Sequence, residues 1–158
     1  MRTDTAPAIF RHDYAQPAYW VETVDLGFDL FVSATRVAAR TRLKRNPEST
    51  KRAIELFGEE LELVAIRMNG KTLSKRQYDL ENGRLTIADA PDEVILEIET
   101  LLRPDQNTSL MGLYVSGGNF FTQCEAEGFR KITYFTDRPD VMAKYRVMLR
   151  ADKTQYPV

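Results

Sequence analysis

"WVETVDLGFDLFV" (Trp20–Val32) and "TRVAARTRLKR" (Thr35–Arg45) are the two runs on which the fold turns. In the first, Trp20, Val24, Leu26, Phe28, Leu30 and Val32 share one parity, and only Glu22 breaks it. Thr23, Asp25, Gly27 and Asp29 take the other parity. Period two over this length predicts a strand with one face buried and one face in water. In the second run Val37, Ala39 and Leu43 alternate with Arg36, Arg40, Arg42 and Lys44. A hairpin turning at Ser33–Ala34 pairs Val32 with Thr35, Leu30 with Val37, Asp25 with Arg42 and Val24 with Leu43. Apolar then meets apolar and acid meets base, as one register should give. The arginine row reads as a solvated sheet face, where each ion pair contributes only about 0–1 kcal/mol.

The same grammar continues along the chain. "NPEST" is a loop, and "AIELFGEELELVAIRMNGKTL" ends in Asn69–Gly70, a hairpin signal because both turn residues need positive φ. A second such pair, Asn82–Gly83, sits between Tyr78 and Leu80 on one side and Leu85 and Ile87 on the other. "EVILEIETLL" sets Val94, Leu96 and Ile98 inward and Glu93, Glu97 and Glu99 outward. "VSGGNF" lacks the Lys-Ser/Thr of a phosphate-binding loop and reads as a tight turn between two short strands. At least six strands joined by short turns predict an all-β, mainly antiparallel domain, a sandwich or saddle-like curved sheet, with at most one or two short helices. The one helix candidate lies near "RPDVMAKY", with Asp137 as its cap and Pro139 in its first turn. Residues 1–158 read as a single domain. The chain stops at "KTQYPV", directly after an alternating run, which reads as a domain that further chain would continue.

Composition narrows the function classes. The chain has 158 residues, 43% hydrophobic and 28% charged, which is globular and not disordered. A net charge of −1 with both signs interspersed argues against nucleic-acid binding, which needs a basic footprint. A single cysteine excludes an internal disulfide. No leader-like apolar run opens the chain, and no stretch reaches the length of a membrane span, so a cytoplasmic protein is expected. The single histidine, His12, cannot make the H-E-x-x-H pair of a zinc peptidase and reads as an exposed residue of a leading arm.

The chemistry-bearing stretch is "FTQCEAEGFRKITYFTDRPD" (Phe121–Asp140). If it stays extended, Gln123, Glu125 and Glu127 point to one side and Cys124 and Ala126 to the other. The acidic side is then a candidate for a cation. Cys124, facing away, reads as a buried, inert thiol. Glu127 reads as a structural partner of Arg130 or Lys131, and Asp137-Arg138-Pro139 as a structural turn.

"GLYVSGGNFFTQCEAEGFRKITYFTDRPDVMAKYRVMLRAD" (Gly112–Asp152) resembles the N-terminal domain of the bacterial aminopeptidase N family, zinc-dependent gluzincin aminopeptidases. "FRHDYAQPAYWVETVDLGFDL" resembles the family's opening, and "ADKTQYPV" its junction with the next segment, so the likeness spans nearly the whole chain. The family skeleton stands here as Gln123-Cys124-Glu125, Arg130 and Asp137-Arg138-Pro139. "EAEGFR" with "ITYF" fits the bacterial branch better than the animal surface peptidases or the leukotriene hydrolase branch. The resemblance implies a saddle-like β domain lying across a catalytic domain that is absent from these residues. The zinc ligands, the general base and the Gly-x-Met-Glu-Asn motif would all lie in that following domain. No catalytic, cofactor or metal residue is therefore expected in this segment, and zinc is expected in the parent enzyme. The resemblance further implies that Glu125 binds the free α-amino group of a peptide and that Gln123 lines the pocket for the first side chain. On this reading the segment alone is inactive, and in isolation Glu125 is exposed and solvated. Its partners would be peptides with a free N-terminus and the catalytic domain of the same polypeptide, with no nucleic acid and no membrane.

A rival from another class is a free-standing β-rich module, descended from that domain, that holds peptides or proteins. A severed domain should show an apolar patch where its neighbour packed, whereas a free module should be closed and polar. A carbohydrate-binding sandwich is a weaker third option, because the chain has one Trp and no evident aromatic platform.

Overall fold

The computed structural model describes residues 10, 12 and 14–157. Its strands are β1 (Tyr19–Asp29), β2 (Thr35–Arg45), β3 (Ile54–Phe57), β4 (Glu62–Met68), β5 (Lys71–Thr72), β6 (Asp79–Glu81), β7 (Arg84–Ile87), β8 (Glu93–Leu102), β9 (Gly112–Ser116), β10 (Asn119–Gln123) and β11 (Lys144–Arg150). A six-stranded sheet runs β11-β1-β2-β8-β4-β5, a three-stranded sheet runs β3-β7-β6, and β9 and β10 form a hairpin of their own. All pairings are antiparallel except that of β1 with β11. The all-β, mainly antiparallel architecture expected from the sequence is the one observed.

One apolar core joins the two larger sheets. Val24, Val37, Leu43, Val94 and Leu96 come from the six-stranded sheet, and Ile54, Leu56, Leu85 and Ile87 from the three-stranded one. Strict alternation on β2 and β8 supplies this face, since every second residue of each is buried. The opposite face carries ions in register: Arg36 reaches Glu99 at 2.8 Å, and Arg40 lies 3.8 Å from Asp25 and 3.7 Å from Glu97. That is the solvated arginine face predicted.

The first hairpin departs from its predicted register. Asp25 faces Arg40 and Phe28 faces Val37, and the turn falls at residues 32–33, closed by Ala34 N donating to Phe31 O at 3.2 Å. The slip is by two residues, so parity is kept along Thr23–Asp29, while Val32, expected inward, lies in the turn at 37% exposure. Thr35 decides it. Its buried hydroxyl donates to Phe31 O at 2.8 Å and accepts from Phe31 N at 3.2 Å. Leu30 N is meanwhile drawn to Arg150 O of β11, at 2.8 Å.

Glu22, the residue that broke the alternation, is an irregularity in the ladder between Val21 and Thr23. The phase flips there. Tyr19 and Val21 are buried, while Trp20 turns outward at 38% exposure, against its expected inward place.

Both Asn-Gly turns form as predicted, with φ of 51° and 77° at Asn69–Gly70 and 49° and 77° at Asn82–Gly83. The helix expected near Asp137–Tyr145 does not form. Residues 139–140 make a turn, with Val141 N donating to Arg138 O at 3.1 Å, and β11 starts at Lys144. The reason is local. Arg138 grips Asp140 (2.8 and 2.6 Å) and Ala15 O (2.9 Å), and the Asp137 carboxylate is taken by Arg130 rather than by a helix N-terminus.

Candidate functional site

β10 ends at Gln123, opposite Gly112 of β9. The chain then stops being extended, so the predicted Gln123/Glu125/Glu127 alternation does not hold. Residues 125–128 form a turn, Gly128 N donates to Cys124 O at 2.9 Å, and the Glu125–Ala126 peptide is cis. Gly128 permits this fold-back. A Cβ there would lie 2.7 Å from Cys124 Cα and 2.9 Å from Gln123 O, inside contact distance of two backbone atoms.

The turn separates the two glutamates. Glu127 takes the left-handed conformation at φ 64°, uncommon for a residue with a Cβ, and its carboxylate lies 3.3 Å from Arg130 Nη2. Its predicted structural partnership with Arg130 is observed. Lys131 pairs elsewhere, with Glu59 at 2.9 Å and Glu60 at 2.8 Å. Gln123 and Glu125 are both exposed, as expected for Glu125 in isolation. Among the described residues, neither side chain makes a hydrogen bond or an ion pair.

Behind the turn stands a rigid support. Phe129–Lys131 form a single 3-10 turn. Arg130 donates from its backbone N (3.1 Å) and Nε (2.9 Å) to one Asp137 carboxylate oxygen, and from Nη2 (3.0 Å) to the Asp137 carbonyl. Its guanidinium also lies over the Phe57 ring, 5.3 Å from the centroid. Phe135 exchanges backbone bonds with Phe57 (2.8 and 3.0 Å), which ties this segment to β3. Phe129 packs edge-on against Phe135 and against Tyr145 of β11.

The electrostatics follow from this packing. Burial, with a smaller push from the Asp137 charge, raises the Cys124 pKa, so the half-buried thiol stays protonated near neutrality. Burial of Lys131 alone would lower its pKa, but the hydrogen bonds its ammonium donates to Glu60 and Glu59, with their charges, outweigh that and hold it above its usual value.

A half-open cleft of about 600 Å³ lies beside this support, lined among others by Pro17, Asn46, Ile54, Phe57, Glu127 and Arg130. Gln123 and Glu125 do not line it; both are exposed, one at the end of β10 and one in the turn after it. An exposed turn with one unpaired carboxylate can offer a wall to a cation but cannot enclose one. Among the described residues, no group of three or more His, Cys, Asp and Glu could hold a metal ion.

Sequence reasoning selected Gln123 and Glu125 and saw Glu127 as structural. It did not see that Arg130 and Asp137 join across seven residues to brace the turn. No periodicity signals such a pair, because it lies in irregular backbone.

The family profile described as the Peptidase M1 N-terminal domain matches residues 24–158. Aminopeptidase N of Caulobacter vibrioides is 47% identical over 152 residues, which is 96% of this chain and 18% of that protein. The crystal structure of Legionella pneumophila aminopeptidase A in complex with aspartic acid superposes with a TM-score of 0.86 at 34% identity, over 93% of this chain and 18% of that one. An M1 zinc metallopeptidase of Deinococcus radiodurans shares the fold at a TM-score of 0.69 and 14% identity, over 85% of this chain and 32% of that one. The chain spans 18% of the length of the curated relatives it matches. With the family match over residues 24–158, relatives 41–47% identical over nearly the whole chain and the all-β fold agreeing, this chain belongs to the Peptidase M1 N-terminal domain family.

Proposed function

We propose that residues 1–158 are the N-terminal β domain of a zinc-dependent aminopeptidase that removes N-terminal residues from peptides. Within it, this segment contributes the wall that binds the substrate's α-amino group and first side chain. The single observation that carries this reading is the contrast between two neighbouring carboxylates. Glu127 is committed to Arg130, whereas Glu125 is exposed and uncommitted on the same braced turn.

Such a carboxylate suits a terminal ammonium. Once a second wall covers this exposed turn and excludes water, a peptide that leaves Glu125 without its cation forfeits about 2–5 kcal/mol. An internal amide cannot supply that charge. Fixing the ammonium also sets the reading frame, so that the first peptide bond meets the catalytic groups. Gln123, one strand position before the turn, lines the place of the first side chain. Zinc and the groups that activate water belong to the remainder of the polypeptide, and the segment alone is inactive.

The exposed strand β11 supports this reading. Tyr145, Val147, Met148 and Leu149 are 50–64% exposed, an apolar stripe of the kind a covering domain would bury. The partners are peptides with a free N-terminus and the catalytic part of the same polypeptide. Neither nucleic acid nor membrane is among them. The balanced charge supports the first exclusion, and among the described residues no helix is long and apolar enough to cross a membrane. A cytoplasmic setting belongs to the same proposal.

The test is kinetic. In the full-length protein, Glu125→Gln lowers kcat/KM for an amino-acid arylamide on the order of 30-fold to several thousand-fold, the range of 2–5 kcal/mol. The isolated 158-residue chain shows no turnover with zinc added. Unchanged kcat/KM in Glu125→Gln would remove the ammonium anchor, and turnover by the isolated chain that survives chelator washing and repeat purification would remove the division of labour.

A further inference from the structure

We propose that Arg130 is a positioning residue: braced by Asp137, it holds Glu127 and thereby fixes the turn that presents Glu125. The inference rests on the reading of Glu125 as ammonium anchor and assigns the groups that set its place.

Arg130 is the hub of the segment. Its side chain is 20% exposed and that of Asp137 12%, so their contact is mostly shielded from water. Three donors of Arg130 converge on Asp137, and one of them, Nη2, also lies 3.3 Å from the Glu127 carboxylate of the turn. The Arg130 carbonyl accepts from Glu59 N at 2.9 Å, so the hub is also fixed to the loop after β3. The planar guanidinium permits this geometry: its Nε–Nη2 edge serves Asp137, and Nη2 stays within ion-pair distance of Glu127.

The turn itself has few other restraints. Between Cys124 and Gly128 one backbone bond closes it, Gly128 N to Cys124 O. Glu127 sits at positive φ, a conformation that local sterics disfavour and that its tie to Arg130 holds in place. Releasing the Glu127 carboxylate frees the turn to relax, and Glu125, two residues earlier, moves with it. A displaced anchor costs ammonium affinity while leaving the reacting groups untouched. The effect therefore falls on KM more than on kcat.

The experiment uses the full-length protein, an amino-acid arylamide as substrate, and the variants Glu125→Gln, Glu127→Gln and Arg130→Lys. Glu127 is 58% exposed, so its amide isostere leaves folding intact. Glu127→Gln raises KM about 2- to 5-fold, the scale of a partly exposed ion pair, with kcat and the thermal midpoint unchanged. Arg130→Lys keeps the charge but loses the fork, and raises KM about 10-fold. The decisive arm is the double variant. If Glu127 acts through Glu125, Glu127→Gln adds nothing once Glu125→Gln is in place. A KM rise in Glu125→Gln with none in Glu127→Gln, or additive effects in the double variant, overturns the positioning role and leaves the anchor standing. An unchanged KM in Glu125→Gln overturns the anchor, and the positioning role with it.

Discussion

Replacing Gly128 by alanine tests whether the 124–128 turn is folded tightly onto the end of β10. The backbone at Gly128 is ordinary for alanine, at φ −92° and ψ −12°, so any cost is steric. The new Cβ would meet Cys124 Cα at 2.7 Å, Gln123 O at 2.9 Å and Met111 Cε at 2.9 Å. The methionine end can swing away, but the two backbone atoms cannot move without opening the turn. Such overpacking costs about 1–3 kcal/mol. The alanine also reduces the freedom of the unfolded chain, which returns about 0.4–1 kcal/mol. The net loss is about 1–2 kcal/mol. For a domain of this size that lowers Tm by roughly 2–8 °C. Thermal unfolding of the 158-residue chain, followed by circular dichroism, measures it. A Tm for Gly128→Ala equal to or above that of the parent would refute the tight stacking of the turn on β10, because the entropic gain would then act unopposed.

Other expectations concern the core, a turn and two titrating groups. Leu85→Ala, at a position with 0% exposure between the two larger sheets, lowers the unfolding free energy by about 2–5 kcal/mol in urea titration. Asn69→Ala loses a 2.7 Å bond from Ile95 N and a residue suited to φ 51°, costing about 1–2 kcal/mol by the same assay. Cys124, its pKa raised by burial, is alkylated by iodoacetamide more slowly than a free thiol at pH 7.5, and unfolding in urea removes the difference. Asp140 is held below its usual pKa, chiefly by the hydrogen bond from Arg138. A depressed folded-state pKa stabilises above the unfolded value, near about 3.9 for Asp, and that contribution disappears as pH falls through the folded one. The contact is partly exposed, so the loss is about 1 kcal/mol or less. Asp140→Asn therefore lowers Tm at pH 7, and the difference shrinks as pH falls below about 3.9.

Much of the fold was legible because the sheet faces repeat every second residue. Val37, Leu43, Val94 and Leu96 could be placed inward from the sequence, and both Asn-Gly turns could be placed to the residue, since positive φ leaves few alternatives. Local pattern also flagged Glu22 as the odd residue. It could not say that the ladder would slip there and turn Trp20 outward, because a bulge is settled by the neighbouring strand. The two-residue shift of the first hairpin has the same origin. Parity is a property of one strand, but offset was chosen by the Thr35 hydroxyl and by β11 capturing Leu30 N from more than a hundred residues away in sequence.

The candidate site divides along the same line. Residue type alone marked Gln123 and Glu125, and the resemblance of the whole stretch gave them roles. Spacing suggested three side chains on one face of a strand, yet the strand ends at Gln123 and the glutamates part company. What separates them is a side chain three residues on: the Arg130 guanidinium, anchored on Asp137, takes Glu127 and leaves Glu125 facing water. Sequence by itself determined the alternating faces, the turns and the presence of carboxylates, because those depend on neighbours along the chain. The hairpin offset and the bulge were decided only in the folded molecule, because each depends on a strand distant in sequence and close in space; the pairing of Glu127 with Arg130, three residues on, was already legible along the chain, whereas its bracing by Asp137 was not.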